Sequence, residues 1–182
     1  LESRDFNNTI ITDDNLAFLS RFDANTLSKN DKYNLGFDLD FVHELKKGQL
    51  AFNTHYTTYN YESFQNVFSN FFDQNNTFES ASEFNTNSNQ ETTIFTSKAD
   101  YSAPINDTSN FEAGIKVSAI KTKSDIIKID IDVNTGDQQI DIQNSDAFRY
   151  DEKILAAYFN YSLDNDKWSL SLGLRAEQTN IE

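Results

Sequence analysis

The chain contains no cysteine, no methionine, one proline and five glycines in 182 residues. Without cysteine it has no disulfide frame, no thiolate zinc knuckle and no thiol chemistry. So few glycines leave no Gly-rich loop to cradle a phosphate. Positive charge is scarce too: 15 Lys and Arg face 29 Asp and Glu, a net charge of −14. The densest basic run, Lys121, Lys123 and Lys128, is interrupted by Asp125. Phosphate backbones demand a Lys/Arg footprint, so nucleic acid is not an expected partner. No run of about 18 apolar residues occurs, which excludes a membrane-crossing helix and leaves strands closed into a barrel as the only way to span a bilayer. The first residues, Leu1-Glu2, carry neither an initiator methionine nor a charged-then-apolar leader, as expected of a piece of a longer protein.

Aromatic residues, by contrast, are abundant. They make up 14% of the chain, with 16 Phe and 8 Tyr, while the apolar share is only 37%. Disordered acidic segments are poor in aromatics. A strand greasy on one face and wet on the other accommodates both facts.

The dominant periodicity is two. Tyr33, Leu35, Phe37, Leu39 and Phe41 alternate with Asn34, Gly36, Asp38 and Asp40. Successive strand side chains point to opposite faces, so this spacing writes an apolar stripe against a polar one. The same alternation runs through Leu50–Tyr56, Phe111–Ala119 and Trp168–Leu174, more weakly through Phe95–Tyr101, and through Ile154–Leu163 with a start that is apolar on both faces. Residues 1–30 hold a poorly patterned strand and loop. The wall proper is expected over 31–182.

Connections are expected to alternate in length. Lys46-Lys47-Gly48-Gln49, Pro104–Thr108 and Asp164-Asn165-Asp166 read as tight turns, with Pro104 in a turn. Long polar loops are expected near 60–91 and 121–151. Short turns alternating with long loops is the habit of an up-and-down barrel. The second loop is expected to carry a hairpin, Ile127–Val133 returning through Asn134–Asp137 to Ile140 and Ile142.

The segments YDEKILAAYFNYS and KWSLSLGLRAEQTN at the C-terminal end, with LDFVHELKKGQLAFNTHYTTY and IFTSKADYSAP upstream, resemble the outer-membrane β-barrel portion of TonB-dependent-receptor-like proteins of Bacteroidetes-type bacteria. The resemblance runs from about Asp31 to the C-terminus, carried by the order and spacing of these pieces. It implies a large outer-membrane barrel with an N-terminal plug, coupled to an inner-membrane energy source and importing large nutrients. It supplies no catalytic residue, and neither a plug nor a coupling box is visible in this chain.

Several residues invite a functional role. His43 and His55 flank the Lys46–Gly48 turn and are both assigned to the wet side of their strands rather than to a metal, which would need further ligands. Asp130, Asp132, Asn134, Gly136 and Asp141 faintly echo a calcium loop, but Gly136 falls one place late for that pattern. Asp38, Asp40, Glu112 and Glu177 would line an acidic lumen and attract a cationic or metal-chelate ligand by focusing the field; a simply polar, hydrated lining is the preferred reading. Tyr56, Tyr59, Tyr61, Phe64, Phe68, Phe71 and Phe72 are assigned to an interfacial girdle or to loop packing in preference to a ligand platform. Histidines confined to one hairpin exclude a credible Ser-His-Asp triad.

The expectation is therefore all-β: an antiparallel up-and-down meander of about seven long strands, an incomplete section of a large transmembrane barrel. It is expected to be no enzyme and to use no catalytic, cofactor or metal site. Its partners are outer-membrane lipid, the remaining strands and plug of the parent, and a large nutrient at the outer loops, with self-association of the isolated piece. The rival is a soluble all-β binding module directed at carbohydrate, which would require two packed sheets. An adhesive repeat protein lacks the fixed period it would need.

Overall fold

The computed structural model describes residues 1–182. It contains eight strands: β1 (Glu2–Thr12), β2 (Phe18–Leu45), β3 (Gly48–Phe72), β4 (Phe78–Asn106), β5 (Ser109–Ile131), β6 (Gln138–Ile140), β7 (Asp146–Asn165) and β8 (Trp168–Ile181). The only helical element is a 3₁₀ turn at Ile142–Asn144. The strands form one meander in the order β1-β2-β3-β4-β5-β7-β8, with β6 appended to β5. Seven long strands were expected, and seven lie on this path. β1 and β8 do not pair, so the sheet is open.

Contacts divide the chain into two units. The first comprises Leu1–Tyr33, Asn60–Gln90 and Lys123–Phe148, and the second Asn34–Tyr59, Glu91–Thr122 and Arg149–Glu182.

In the first unit, extended ladder replaces most of what was expected to be loop. β3 continues to Phe72 and β4 begins at Phe78, so the expected loop near 60–91 shrinks to a turn at Asp73–Thr77. β5 likewise runs on to Ile131 within the expected loop near 121–151. In residues 1–30, β1 and the start of β2 are regular strands around a turn at Asp13–Ala17. The reason is physical. Cross-strand N–H···O=C bonds depend on the backbone alone, whereas the period-two signal appears only where the two faces meet different media. Where both faces are polar, the ladder leaves no mark in the hydropathy.

The two turns at 13–17 and 73–77 are built alike. Asp13 accepts hydrogen bonds from the Asn15 and Ala17 amides, and Asp73 from those of Asn75 and Thr77. In each, the fourth residue takes positive φ: Leu16 at 63° and Asn76 at 57°. The expected hairpin forms as well, with Ile129–Ile131 paired to Gln138–Ile140 and Gly136 at φ 76° in its turn. Ile142, expected on the returning strand, belongs instead to the 3₁₀ turn, where Asp141 caps the Gln143 and Asn144 amides.

The second unit contains the stripes of the expected wall from Leu35 onward, the hairpin at Ile127–Val133 excepted. Gly48 turns β2 into β3 at φ 103°. The next turn falls at Asp107-Thr108, and Pro104, expected in that turn, lies instead near the end of β4. Between β7 and β8 the register is continuous over fourteen pairs, from Glu152↔Ile181 to Asn165↔Trp168.

Candidate functional site

The feature that bears on function is the chemical division between the two faces of the second unit. On one face, Phe159↔Leu174, Tyr161↔Leu172 and Leu163↔Leu170 are cross-strand partners. The same face of β5 presents Phe111, whose ring lies 6.2 Å from that of Phe159, and Tyr101 of β4 meets Phe111 edge-on at 5.6 Å. Side chains from this face have no layer above them. Leu35 is 52% exposed, Phe37 57%, Leu172 57% and Leu174 77%. Throughout the chain only Ala103 and Ala156 are buried apolar residues. A soluble sheet of this size would bury such a stripe against a second layer. An exposed contiguous apolar face marks a surface that meets lipid or another molecule.

On the opposite face the side chains are polar and mutually satisfied. Asp38 pairs with His55 at 2.5 Å and Asp40 accepts from Asn53 at 2.5 Å. Thr57 donates to Asn34, Ser169 to Asp164, and Arg175 pairs with Glu177 at 2.5 Å. Lys98 binds Asp100 at 2.8 Å, and Tyr158 donates its hydroxyl to the same carboxylate from across β5. That reach is possible because Gly114 lies between them: a Cβ there would collide with both Asp100 and the Tyr158 ring. Lys98 also stands over the Tyr158 ring at 5.4 Å.

All four carboxylates considered for an acidic lumen lie in this unit. Asp38, Asp40 and Glu177 are engaged as just described, while Glu112 lines an open cavity with Lys98, Lys116 and Arg175. The four carboxylates thus stand beside cations, an imidazole or an amide rather than as one acidic cluster. Lys98 and Lys116 are the cations that sequence reasoning missed; parity with Asp100 on β4 and with Glu112 on β5 places them on this face.

His43 requires a correction. It stacks on Phe41 of the same strand, with centroids 6.3 Å apart and planes within 12°. Two residues from Phe41, it shares the apolar face rather than the polar one. His55 is on the polar face as expected, so the two imidazoles point to opposite sides and do not converge on an ion.

The calcium echo is likewise occupied from within. Lys128 reaches Asp130 at 3.0 Å and Asp141 at 2.8 Å, so an ammonium stands where a divalent ion would. It holds the Asp141 carboxyl down to about 2, with help from Asn144, and the carboxylates in turn raise Lys128. Asp132 is committed to the Asn134 and Thr135 amides, which lower it.

The aromatic run divides between the units. Tyr56 and Tyr59 belong to the second. In the first, Tyr61 donates to Asn30, Phe71 packs on Phe22 at 5.9 Å and Phe72 on Phe78 at 6.1 Å, with Arg21 over the Phe72 ring at 3.8 Å. Tyr61, Phe71 and Phe72 thus pack on residues of the neighbouring strands β2 and β4.

No helix is long and apolar enough to cross a membrane, a statement that says nothing of crossing by strands. Comparison with curated proteins gives no match. Residues 43–182, more than three quarters of the chain, match the outer membrane protein beta-barrel family. The match spans the exposed stripes from Leu50 to Leu174. With an open antiparallel meander, one greasy face and one wet face, the chain belongs to the outer membrane protein beta-barrel family.

Proposed function

We propose that the chain forms wall, lumen lining and outer strands of a TonB-dependent-receptor-like transporter in a Gram-negative outer membrane, taking part in nutrient uptake as one section of a larger barrel. The observation that carries this reading is the segregated second unit: Leu35, Phe37, Leu172 and Leu174 stand bare on one face while charged pairs fill the other. In hydrocarbon every backbone N–H and C=O must be paired, and neighbouring strands do so without helices. The wet face then lines a water-filled passage. The resemblance from about Asp31 onward supports the receptor-like assignment. No catalytic step is part of the reading: the side chains position, hydrate and seal. The rival soluble module is disfavoured because it would need a dry interior, and two buried alanines do not make one.

The parent reading frame tests it. An export leader and plug upstream, with further alternating strands downstream closing on an aromatic residue, are expected. A short frame with an export signal and no further strands overturns the transporter reading. Fractionation of cells expressing the parent should recover it with the outer membrane.

A further inference from the structure

The wet face of the second unit holds an open cavity of about 550 Å³, whose lining includes Lys98, Glu112, Lys116, Tyr158, Asn160 and Arg175. Its charges are unequally matched. Lys98 binds one oxygen of Asp100, Tyr158 donates to the other, and Arg175 binds Glu177. Those two carboxylates are therefore already engaged. Lys116 and Glu112, by contrast, make no ion pair and no side-chain hydrogen bond. Hydroxyl contacts between Thr92 and Thr122 at 3.3 Å and between Thr96 and Ser118 at 3.4 Å fix one register of β4 on β5, which sets Lys98 opposite Lys116. Like charges directly opposite are unfavourable in a sheet, and nothing in the chain neutralises the second ammonium. Glu112 lies four residues along β5 on the same face, about 13 Å from Lys116 at the ordinary strand rise. Between them is Gly114, with the Tyr158 ring laid across it, and the Asn160 amide lies over Gly173 in the same way.

We propose that this cavity binds a zwitterionic solute, its ammonium toward Glu112 and its carboxylate toward Lys116 and Lys98, as a short extended peptide presents them. The inference rests on the wall reading above, which puts this face against a water-filled passage, and it names a solute class for that passage. A purely anionic solute would face the Glu112 carboxylate, and a purely cationic one would meet Lys98, Lys116 and Arg175. A ligand carrying both charges in this order satisfies both ends, and the wrong charge at either end is rejected. Three extended residues span about 10 Å, so such a peptide fits the interval, and the rotatable Lys and Glu side chains take up the remainder. Along the way Asn160 offers a carbonyl and an NH₂ group to a peptide unit, and the Tyr158 ring offers an apolar wall.

The probe is trialanine, with its N-acetylated and C-amidated forms, titrated against the 182-residue chain in nonionic detergent micelles by saturation-transfer NMR. Flotation of the same chain with phosphatidylcholine vesicles reports membrane association, and circular dichroism reports that each variant keeps its β-structure. Free trialanine is expected to bind, and Lys116→Gln and Glu112→Gln are each expected to weaken it about three- to fivefold. Lys116→Gln should have no further effect on the amidated peptide, nor Glu112→Gln on the acetylated one, because each variant and each block removes the same contact. A floating chain that binds trialanine no better than the Lys116→Gln/Glu112→Gln double variant does overturns the inference and leaves the wall reading standing. Equal binding of the free and acetylated peptides overturns it in favour of a simple oxyanion site. A chain that fails to float with its β-structure retained defeats the wall reading, and the inference with it.

Discussion

Two residues, Leu16 and Gly114, carry backbone or packing demands that their neighbours do not. Leu16 occupies the left-handed region at φ 63° while its side chain is 83% exposed. For an L-residue with a Cβ that conformation costs roughly 1–2 kcal/mol, and here no burial offsets it. Leu16→Gly should therefore stabilise the β1–β2 turn by up to about 1 kcal/mol, since glycine's greater unfolded-state freedom returns part of the gain. Urea titration of the reconstituted protein would measure it, and a loss of stability would contradict the strain argument. Gly114 is the converse. Its missing side chain admits Tyr158, so Gly114→Val should cost about 1–3 kcal/mol by overpacking. The same change in a Tyr158→Ala background should cost much less, and that non-additivity is the diagnostic reading.

The element scale shows where sequence reasoning succeeds and where it stops. The stripes Tyr33–Phe41, Leu50–Tyr56, Phe111–Ala119 and Trp168–Leu174 all lie in strands because alternation records a difference between two media. The ladders from Tyr61 to Phe72 and from Phe78 to Gln90 were invisible because their apolar residues, among them Phe64, Val67, Phe68, Phe71 and Phe72, fall on both faces and write no period of two. His43 was legible too: two residues from Phe41, it falls on the apolar face by parity alone. Lys98, Lys116 and Arg175 were legible in the same way. What the sequence could not show is the Tyr158–Gly114–Asp100 joint, which depends on three strands meeting in a particular register.

Two predictions belong to elements. On β8, Leu172→Arg should destabilise the membrane-inserted state by about 2–4 kcal/mol if its position is near mid-bilayer, whereas Ser171→Arg, on the other face, should change it by about 0.5 kcal/mol or less. Equal effects would mean that the two faces do not meet different media. The β5–β6 hairpin should respond to pH through Lys128 and Asp141. Asp141 is lowered from the ordinary carboxylate value to about 2, so its contribution is complete above about 4 and fades as pH falls through about 2. Lys128 is raised, so its contribution is complete below its usual value of 10.5 and fades only as pH rises beyond that. Amide exchange at Ile129–Ile131 should accordingly be slowest between about pH 4 and 10 after correction for intrinsic rates, and Asp141→Asn should remove the acid limb.

For the whole molecule, the decisive balance is between a net charge of −14 and a bare apolar face. Charge keeps separate molecules apart in water, yet it does nothing for Leu35, Phe37 and Leu174. Without lipid or detergent the chain should therefore bind an apolar dye and sediment as a heterogeneous population. Added vesicles should abolish the dye signal. A detergent-free monomer that binds no dye would require the stripe to be covered in some way that this sheet does not provide.

The repeated Asp-led turns have a practical side. At Asp13–Ala17 and Asp73–Thr77 one carboxylate organises the whole reversal, and at Asp132–Asp137 Asp132 ties down the start of it. The intervening positions, Asp14 and Gln74 among them, are therefore free to change without disturbing the strands on either side. Short foreign peptides grafted at these tips should be displayed without loss of the scaffold.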